Sequence, residues 1–260
     1  RGGPGGGAGL TRLPSGPAFR GIPPMLVSAA RRRLRLPLLL ALLFGGLFTV
    51  TVLFPLSRER FRRAAIRHWS RMLLWSCGLR LHERPAPQAR SLAELPRGRL
   101  LVANHISWVD IFAINALCPA SFVAKAEIAR WPVLGTLVAR AGTLFIERGK
   151  RRAVHRMIEH IGRSLQAGGR VAVFPEGTTG DGSRLLPFNG ATPFVESLWC
   201  TLGAGGLCCE VHPRAPIAAT DGAGRHEIAQ RARAAIGERL GLPFEDVLPE
   251  RIRALRTAAD

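Results

Sequence analysis

The chain has 260 residues, enough for one large domain or two small ones with a proper core, and its 47% hydrophobic content lies within the globular range. Its formal net charge of +19 at pH 7 calls for an anionic partner, and nearly all of that charge is arginine, Lys125 and Lys150 being the only lysines. Nucleic acid is set aside: there is no zinc-finger spacing, no helix-turn-helix pattern, no RNP-like aromatic run and no tyrosine, so an anionic membrane surface and phosphorylated substrates remain.

Residues 1–24 are rich in Gly, Pro and Arg and lack apolar periodicity, so they cannot bury enough surface to offset their ordering entropy. We expect disorder, and assign residues 1–33 to a basic, Gly/Pro-rich disordered segment. Leu36 to Leu56 then runs without a charge. At about 1.5 Å per residue such a helix is long enough for a hydrocarbon core of about 30 Å. Pro37 is expected in its first turn, where proline is tolerated. The flanks are basic on both sides, Arg31, Arg32, Arg33 and Arg35 before and Arg58, Arg60, Arg62 and Arg63 after. The positive-inside rule therefore gives no orientation, and a segment that dips into one leaflet and returns fits equally. A buried core helix is the remaining alternative.

Residues 59–78 continue as an amphipathic helix, with Phe61, Ala65, Ile66, Trp69, Met72 and Leu73 near one face and Arg62, Arg63, Arg67 and Arg71 elsewhere. A basic amphipathic helix beside an apolar segment reads as a membrane-surface element, so residues 34–80 form a membrane-associated helical segment. Pro85, Pro87 and Pro96 mark a connecting loop. Short apolar runs then alternate with helical patterns: strands at Leu100–Ala103, Ser121–Ala124, Thr143–Ile146 and Val171–Phe174, helices at 108–117, 131–140 and 151–167. A further strand near Leu207–Val211 and helices near 225–240 and 244–257 complete the series. The alternation predicts an α/β fold over residues 81–260, a mostly parallel sheet flanked by helices, behind the N-terminal membrane-associated segment. The five cysteines show no CxxC pair and no metal-ligand spacing, so they read as reduced thiols, mostly core, and no metal site is expected.

Three stretches carry chemistry. In Asn104–Asp110 a histidine at a strand end is followed five residues later by a carboxylate. Histidine changes protonation near neutrality, and a carboxylate on its other nitrogen fixes the tautomer and stabilises the imidazolium. Ser107 and Asp110 are also spaced as a capping box, so Asp110 has a purely structural reading too. One carboxylate is not expected to cap the helix and hold the imidazole equally well. In Val173–Gly182 a strand runs into Pro175-Glu176-Gly177-Thr178-Thr179, where glycines let backbone amides approach a ligand and Glu176 offers an acceptor for a hydroxyl. An ordinary polar turn is the plain alternative. In Gly142–Arg148 a strand ends on Arg148, a fixed cation whose planar fork suits phosphate, with a surface ion pair to Glu147 as the alternative.

NHISWVD, FVAKAE with WPVLG, GTLFIERG and FPEGTT occur in that order. Together they resemble the glycerophospholipid acyltransferases of the 1-acyl-glycerol-3-phosphate acyltransferase type over roughly residues 70–190. The resemblance implies that His105 removes a proton from the acceptor hydroxyl and that Asp110 orients it. It implies that Arg148, Glu176, Gly177 and Thr178 bind the acceptor, with Lys125 contributing. The implied co-substrate is acyl-CoA or acyl-ACP, the acceptor a lysophospholipid, and no cofactor is called for. The implied location is the cell inner membrane, with the catalytic domain facing the cytoplasm. Two departures stand out. Thr179 occupies a position where many members have Arg, which opens a lyso-ornithine lipid as an alternative acceptor. The interval after the Glu-Gly-Thr loop also reads as a strand short, with Val211-His212-Pro213 a doubtful substitute. The C-terminal part then reads as shortened, and a non-catalytic membrane-anchored member is a further alternative.

Overall fold

A computed structural model describes residues 24–105, 107–147, 151–174, 194–218 and 225–240. The first element, α1 (Pro24–Phe48), passes through a π turn (Thr49–Leu53) into a last α-helical turn, α2 (Phe54–Leu56). Pro37 therefore lies well inside the helix instead of in its first turn. The helix begins earlier than the apolar run because the arginines that precede that run are held by carbonyls elsewhere in the fold, as described below. The π turn widens the backbone ladder, and two threonine hydroxyls bond back to the preceding turn: Thr49 Oγ1 donates to the Gly45 carbonyl at 2.8 Å and Thr51 Oγ1 to that of Leu47 at 2.6 Å.

Helix α3 (Glu59–Ser76) packs against α1 at Gly46. A Cβ there would lie 2.7 Å from the Trp69 Nε1, which donates to the Leu42 carbonyl at 2.8 Å. The inward face of α3 is only partly the expected one. Ala65, Ile66, Trp69 and Leu73 pack inward, whereas Phe61 and Met72 are exposed. The reason is that α3 has two neighbours. Its Leu74 is committed to α4 (Val109–Leu117), which turns Phe61, Met72 and Trp75 outward.

Six strands follow. β2 (Arg99–Val102), β3 (Ser121–Lys125), β4 (Leu144–Ile146) and β5 (Arg170–Val173) form one sheet in the order β2-β5-β3-β4, parallel throughout. β1 (Leu79–Glu83) and β6 (Leu207–Val211) form a parallel pair of their own. The connections are α4, α5 (Leu134–Arg140) and α6 (Arg151–Gln166), with α7 (Phe194–Gly203) leading to β6 and α8 (Arg225–Leu240) after it. This is the expected α/β fold with parallel strands flanked by helices. The interval that reads as a strand short holds α7 and then β6. The pairing with β1 continues beyond β6, where Ala86 N–H donates to the Pro213 carbonyl at 3.0 Å. The expected helix at 244–257 and the segment 1–23 lie outside the described residues.

α4 is apolar on every side and is buried on every side, as that pattern requires. Ile114 meets Phe122 and Ala172 of the main sheet, while Val109 and Ala116 meet Leu74 of α3 with Leu79, Leu81 and Cys209 of the small one. α1 joins the same core: Leu39 packs with Leu73, Cys77 and Leu202, and Val50 and Phe54 pack with Leu137 of α5. Ser28–Leu56 is long and apolar enough to cross a membrane, with only 22% of its most apolar window buried. Its outward face carries Leu40, Phe44, Phe48 and Leu56. Cys77 and Cys118 are buried, whereas Cys200 and Cys208 are exposed, so the cysteines are less uniformly core than expected; all five are free thiols.

Candidate active site

Because the strands of the main sheet are parallel, their C-terminal ends share one edge, where open α/β folds place ligands. β2 and β5 are direct neighbours, with Val102 opposite Val173, and Ala103 N–H extends the ladder to the Val173 carbonyl at 3.2 Å. His105 and Phe174 leave these two strands side by side. Their rings stack with centroids 4.1 Å apart and planes 12° from parallel, and Phe122 stacks on Phe174 in turn at 5.8 Å. Phe174 thus forms a floor beneath the imidazole. Its sequence signal, an aromatic immediately after a strand, is weak without the strand order.

His105 Nδ1 lies 3.0 Å from Asp110 Oδ2, and both side chains are largely shielded, 14% and 21% exposed. The same oxygen accepts the Ser107 N–H at 2.9 Å, while Ser107 Oγ accepts the Val109 N–H at 3.3 Å. Only half of a capping box is present, because the Asp110 N–H goes to the Ser107 carbonyl at 3.1 Å and not to the Ser107 hydroxyl; the Asp110-to-Ser107 half coexists with the histidine contact. One carboxylate oxygen thus takes both the imidazole and the Ser107 amide, while the full helix cap expected as the alternative role is not formed. A carboxylate oxygen with two lone pairs can accept from both. With a carboxylate accepting at Nδ1, the ring's proton sits there and its lone pair is carried by Nε2.

Trp108 packs the loop from beneath, edge-on to Phe112 and to Phe194 at the start of α7, each at 5.7 Å. Trp131 lies against Phe194 at 5.7 Å as well. On β6, burial pushes the Cys209 thiol up to about 11, and the nearby Asp110 carboxylate and Cys208 add to the shift. Lys125 stands exposed at the C-terminal end of β3, opposite Ile146 of β4 on the same edge. Glu147 follows β4 directly. Arg148, Glu176, Gly177 and Thr178 lie outside the described residues, so the geometry brings together His105 and Asp110 and places Lys125 on their edge of the sheet. Among the described residues no group of three or more His, Cys, Asp or Glu side chains is arranged to hold a metal ion.

Residues 87–197 match the family model described as Acyltransferase. The 1-acyl-sn-glycerol-3-phosphate acyltransferase of Neisseria gonorrhoeae is 48% identical over 108 residues, 42% of this chain and 40% of that protein. The lyso-ornithine lipid O-acyltransferase of Rhizobium meliloti (strain 1021) is 41% identical over 127 residues, 48% of this chain and 41% of that protein. The chain thus spans about two fifths of the length of these curated relatives. The crystal structure of the 1-acyl-sn-glycerophosphate acyltransferase PlsC from Thermotoga maritima shares the fold, with a TM-score of 0.61, 17% identity and coverage of 84% of this chain and 96% of that one. The Acyltransferase match thus lies inside a fold shared with PlsC. Within that region the chain is similar to proteins named as 1-acyl-sn-glycerol-3-phosphate and lyso-ornithine lipid acyltransferases.

Proposed function

We propose that the protein transfers a fatty acyl group from acyl-CoA or acyl-ACP to the free hydroxyl of 1-acyl-glycerol-3-phosphate, giving phosphatidic acid. The observation that carries this reading is the His105–Asp110 contact at the C-terminal edge of a parallel sheet. His105 Nε2 takes the hydroxyl proton as the oxygen attacks the thioester carbonyl. The tetrahedral adduct then collapses, the carbon–sulfur bond breaks, and the imidazolium returns the proton to the departing thiolate. Asp110 holds the ring in the tautomer that accepts at Nε2 and stabilises the imidazolium while it exists. Phe174 restricts ring rotation from below. Arg148, Glu176, Gly177, Thr178 and Lys125 hold the acceptor, the arginine and lysine offering cations to a phosphate. The reaction so written needs neither cofactor nor metal. The apolar helix keeps the domain at the bilayer, where acceptor and product reside, with the domain on the cytoplasmic face of the inner membrane.

A lyso-ornithine lipid is the second candidate acceptor, favoured by the 41% identical relative of that name and by Thr179 where many family members have a phosphate-binding Arg. The test uses the full chain in membranes, offered both acceptors and both thioester donors, with lipid products read by mass spectrometry. Phosphatidic acid formed by the wild type and lost in His105→Ala is the expected result. Acylation confined to the ornithine lipid selects the second reading. Turnover undiminished in His105→Ala overturns both, and a folded, membrane-bound wild type without turnover on either acceptor leaves the non-catalytic reading.

A further inference from the structure

The arginines before the apolar run look, from sequence, like anchors for lipid headgroups. Two of them are otherwise engaged. Arg35 Nη1 donates to the Leu202 carbonyl at 3.0 Å and to the Ala204 carbonyl at 2.6 Å. Arg32 Nε donates to the Trp199 carbonyl at 3.2 Å, and its guanidinium carbon sits 4.7 Å from the centre of the Trp199 ring. The last turn of a helix leaves its carbonyls without intrahelical donors and carries the negative end of the macrodipole, so two guanidinium groups from α1 supply what the end of α7 lacks. Arg35 is wedged in place. Gly78, just past α3 at φ +75°, lies so close that a Cβ there would overlap the guanidinium. Beneath these contacts Leu202 is buried among Leu39, Leu73 and Cys77, with Leu198 against the same cluster.

The other end of α7 leads to the catalytic loop. Phe194, its first residue, meets Trp108, which lies between His105 and Asp110 in the chain. Trp108 is also held by Phe112, by the cluster around Leu39 and Leu202, and by the one around Leu74 and Ala116. The membrane helix, α7 and the His105–Asp110 loop are therefore one mechanical series. We propose that Arg35, seconded by Arg32, is a positioning residue for acyl transfer: it clamps the C-terminal end of α7 so that Phe194 holds Trp108, and with it the loop bearing His105 and Asp110. On this reading α1 is part of the catalytic apparatus as well as an anchor. The proposal rests on the acyl-transfer reading for its rate effect but has a structural consequence independent of turnover.

The experiment compares wild type, Arg35→Ala, Arg35→Lys and Arg33→Ala as full chains in phosphatidylglycerol-containing nanodiscs. Steady-state kinetics are measured with amide hydrogen exchange over 195–204 and 109–114. Arg33 is the control, an exposed cation of the same flank. In Arg35→Ala we expect kcat to fall roughly tenfold or more with KM for the acceptor little changed, since a displaced base affects the chemical step. Exchange should rise several-fold in both segments together. Arg35→Lys keeps the charge and most of the reach and should recover part of both effects, and it serves where the alanine variant does not fold. Arg33→Ala should match wild type. Faster exchange confined to α7, unchanged exchange in both segments, or an equal loss in Arg33→Ala each overturns the clamp. A wild type silent on every acceptor defeats the acyl-transfer reading alone. The exchange comparison still decides the clamp in that case.

Discussion

Oδ2 of Asp110 accepts from both the His105 ring and the Ser107 amide, so two losses that are usually separate can be separated here by substitution. Asp110→Asn keeps an oxygen for the Ser107 N–H but cannot offer a full negative charge to an imidazolium. It should retain most of the stability while kcat falls about 10²-fold to 10⁴-fold, the span typical of lost acid–base assistance. Asp110→Ala loses the same activity and in addition about 1 kcal/mol of stability, the usual net worth of one side-chain hydrogen bond to a backbone amide, read as a lowered denaturant midpoint. A drop in stability of equal size in both variants would argue that the histidine contact, not the bond to the Ser107 amide, is what Asp110 contributes to the fold. Cys209 gives a pH prediction. Its thiol is raised to about 11 in the folded chain against 9.0 for an ordinary cysteine, so the folded state keeps its proton where the unfolded state has lost it. Stability is unaffected below pH 9, declines as pH rises from 9 to about 11, and levels off above that. Chemical denaturation at pH 8, 9.5 and 11 on wild type and Cys209→Ala should show the alanine variant losing less over that window. The His105–Asp110 pair was legible in sequence because both residues lie within one short loop. Phe174 beneath the ring was not, because only the adjacency of β2 and β5 brings it there.

Among the elements, α1 is the one whose sequence reading changed most. Its apolar stretch was evident from length and lack of charge, since both are local properties. Its start at Pro24 was not, because the arginine-rich turn is stabilised by α7, over 160 residues further along the chain. The small strand β1 was missed for a related reason: its Leu79-Arg80-Leu81-His82-Glu83 alternation is short, and its partner β6 lies at the other end of the domain. The contact of α1 with α3 depends on the absence of a side chain at Gly46. Gly46→Val should push Trp69 off the Leu42 carbonyl and separate the helices, at a cost of about 1–3 kcal/mol. Thermal unfolding in detergent, followed by tryptophan emission, reports it; an unchanged midpoint would mean that the helices touch elsewhere.

For the molecule as a whole, the parallel sheet could be read from the alternation of apolar runs and helical patterns, whereas the order β2-β5-β3-β4 could not, since strand order is decided by packing between distant segments. The charge of +19 acts at this scale too. Arginines left on the surface should draw the protein to anionic vesicles, and 0.5 M salt should weaken that binding without releasing protein already inserted through α1, because screening reaches exposed charges only. Flotation with and without phosphatidylglycerol measures both parts. The π turn at Thr49–Leu53 has a further consequence for this division of labour. One extra residue in a helical turn advances the angular phase of everything after it by about 100°. An inward and an outward row exist on both sides of the turn: Leu39 and Leu42 are buried and Phe44 and Phe48 exposed before it, Val50 and Phe54 buried and Val52 and Leu56 exposed within and after it. The turn therefore sets the phase at which the buried row, after Leu39 and Leu42, delivers Val50 and Phe54 to Leu137. Deleting a single residue from it would leave the rod as greasy as before and as able to enter a bilayer. The same deletion would rotate Phe54 away from α5, giving a protein that still floats with membranes while α5 becomes open to protease.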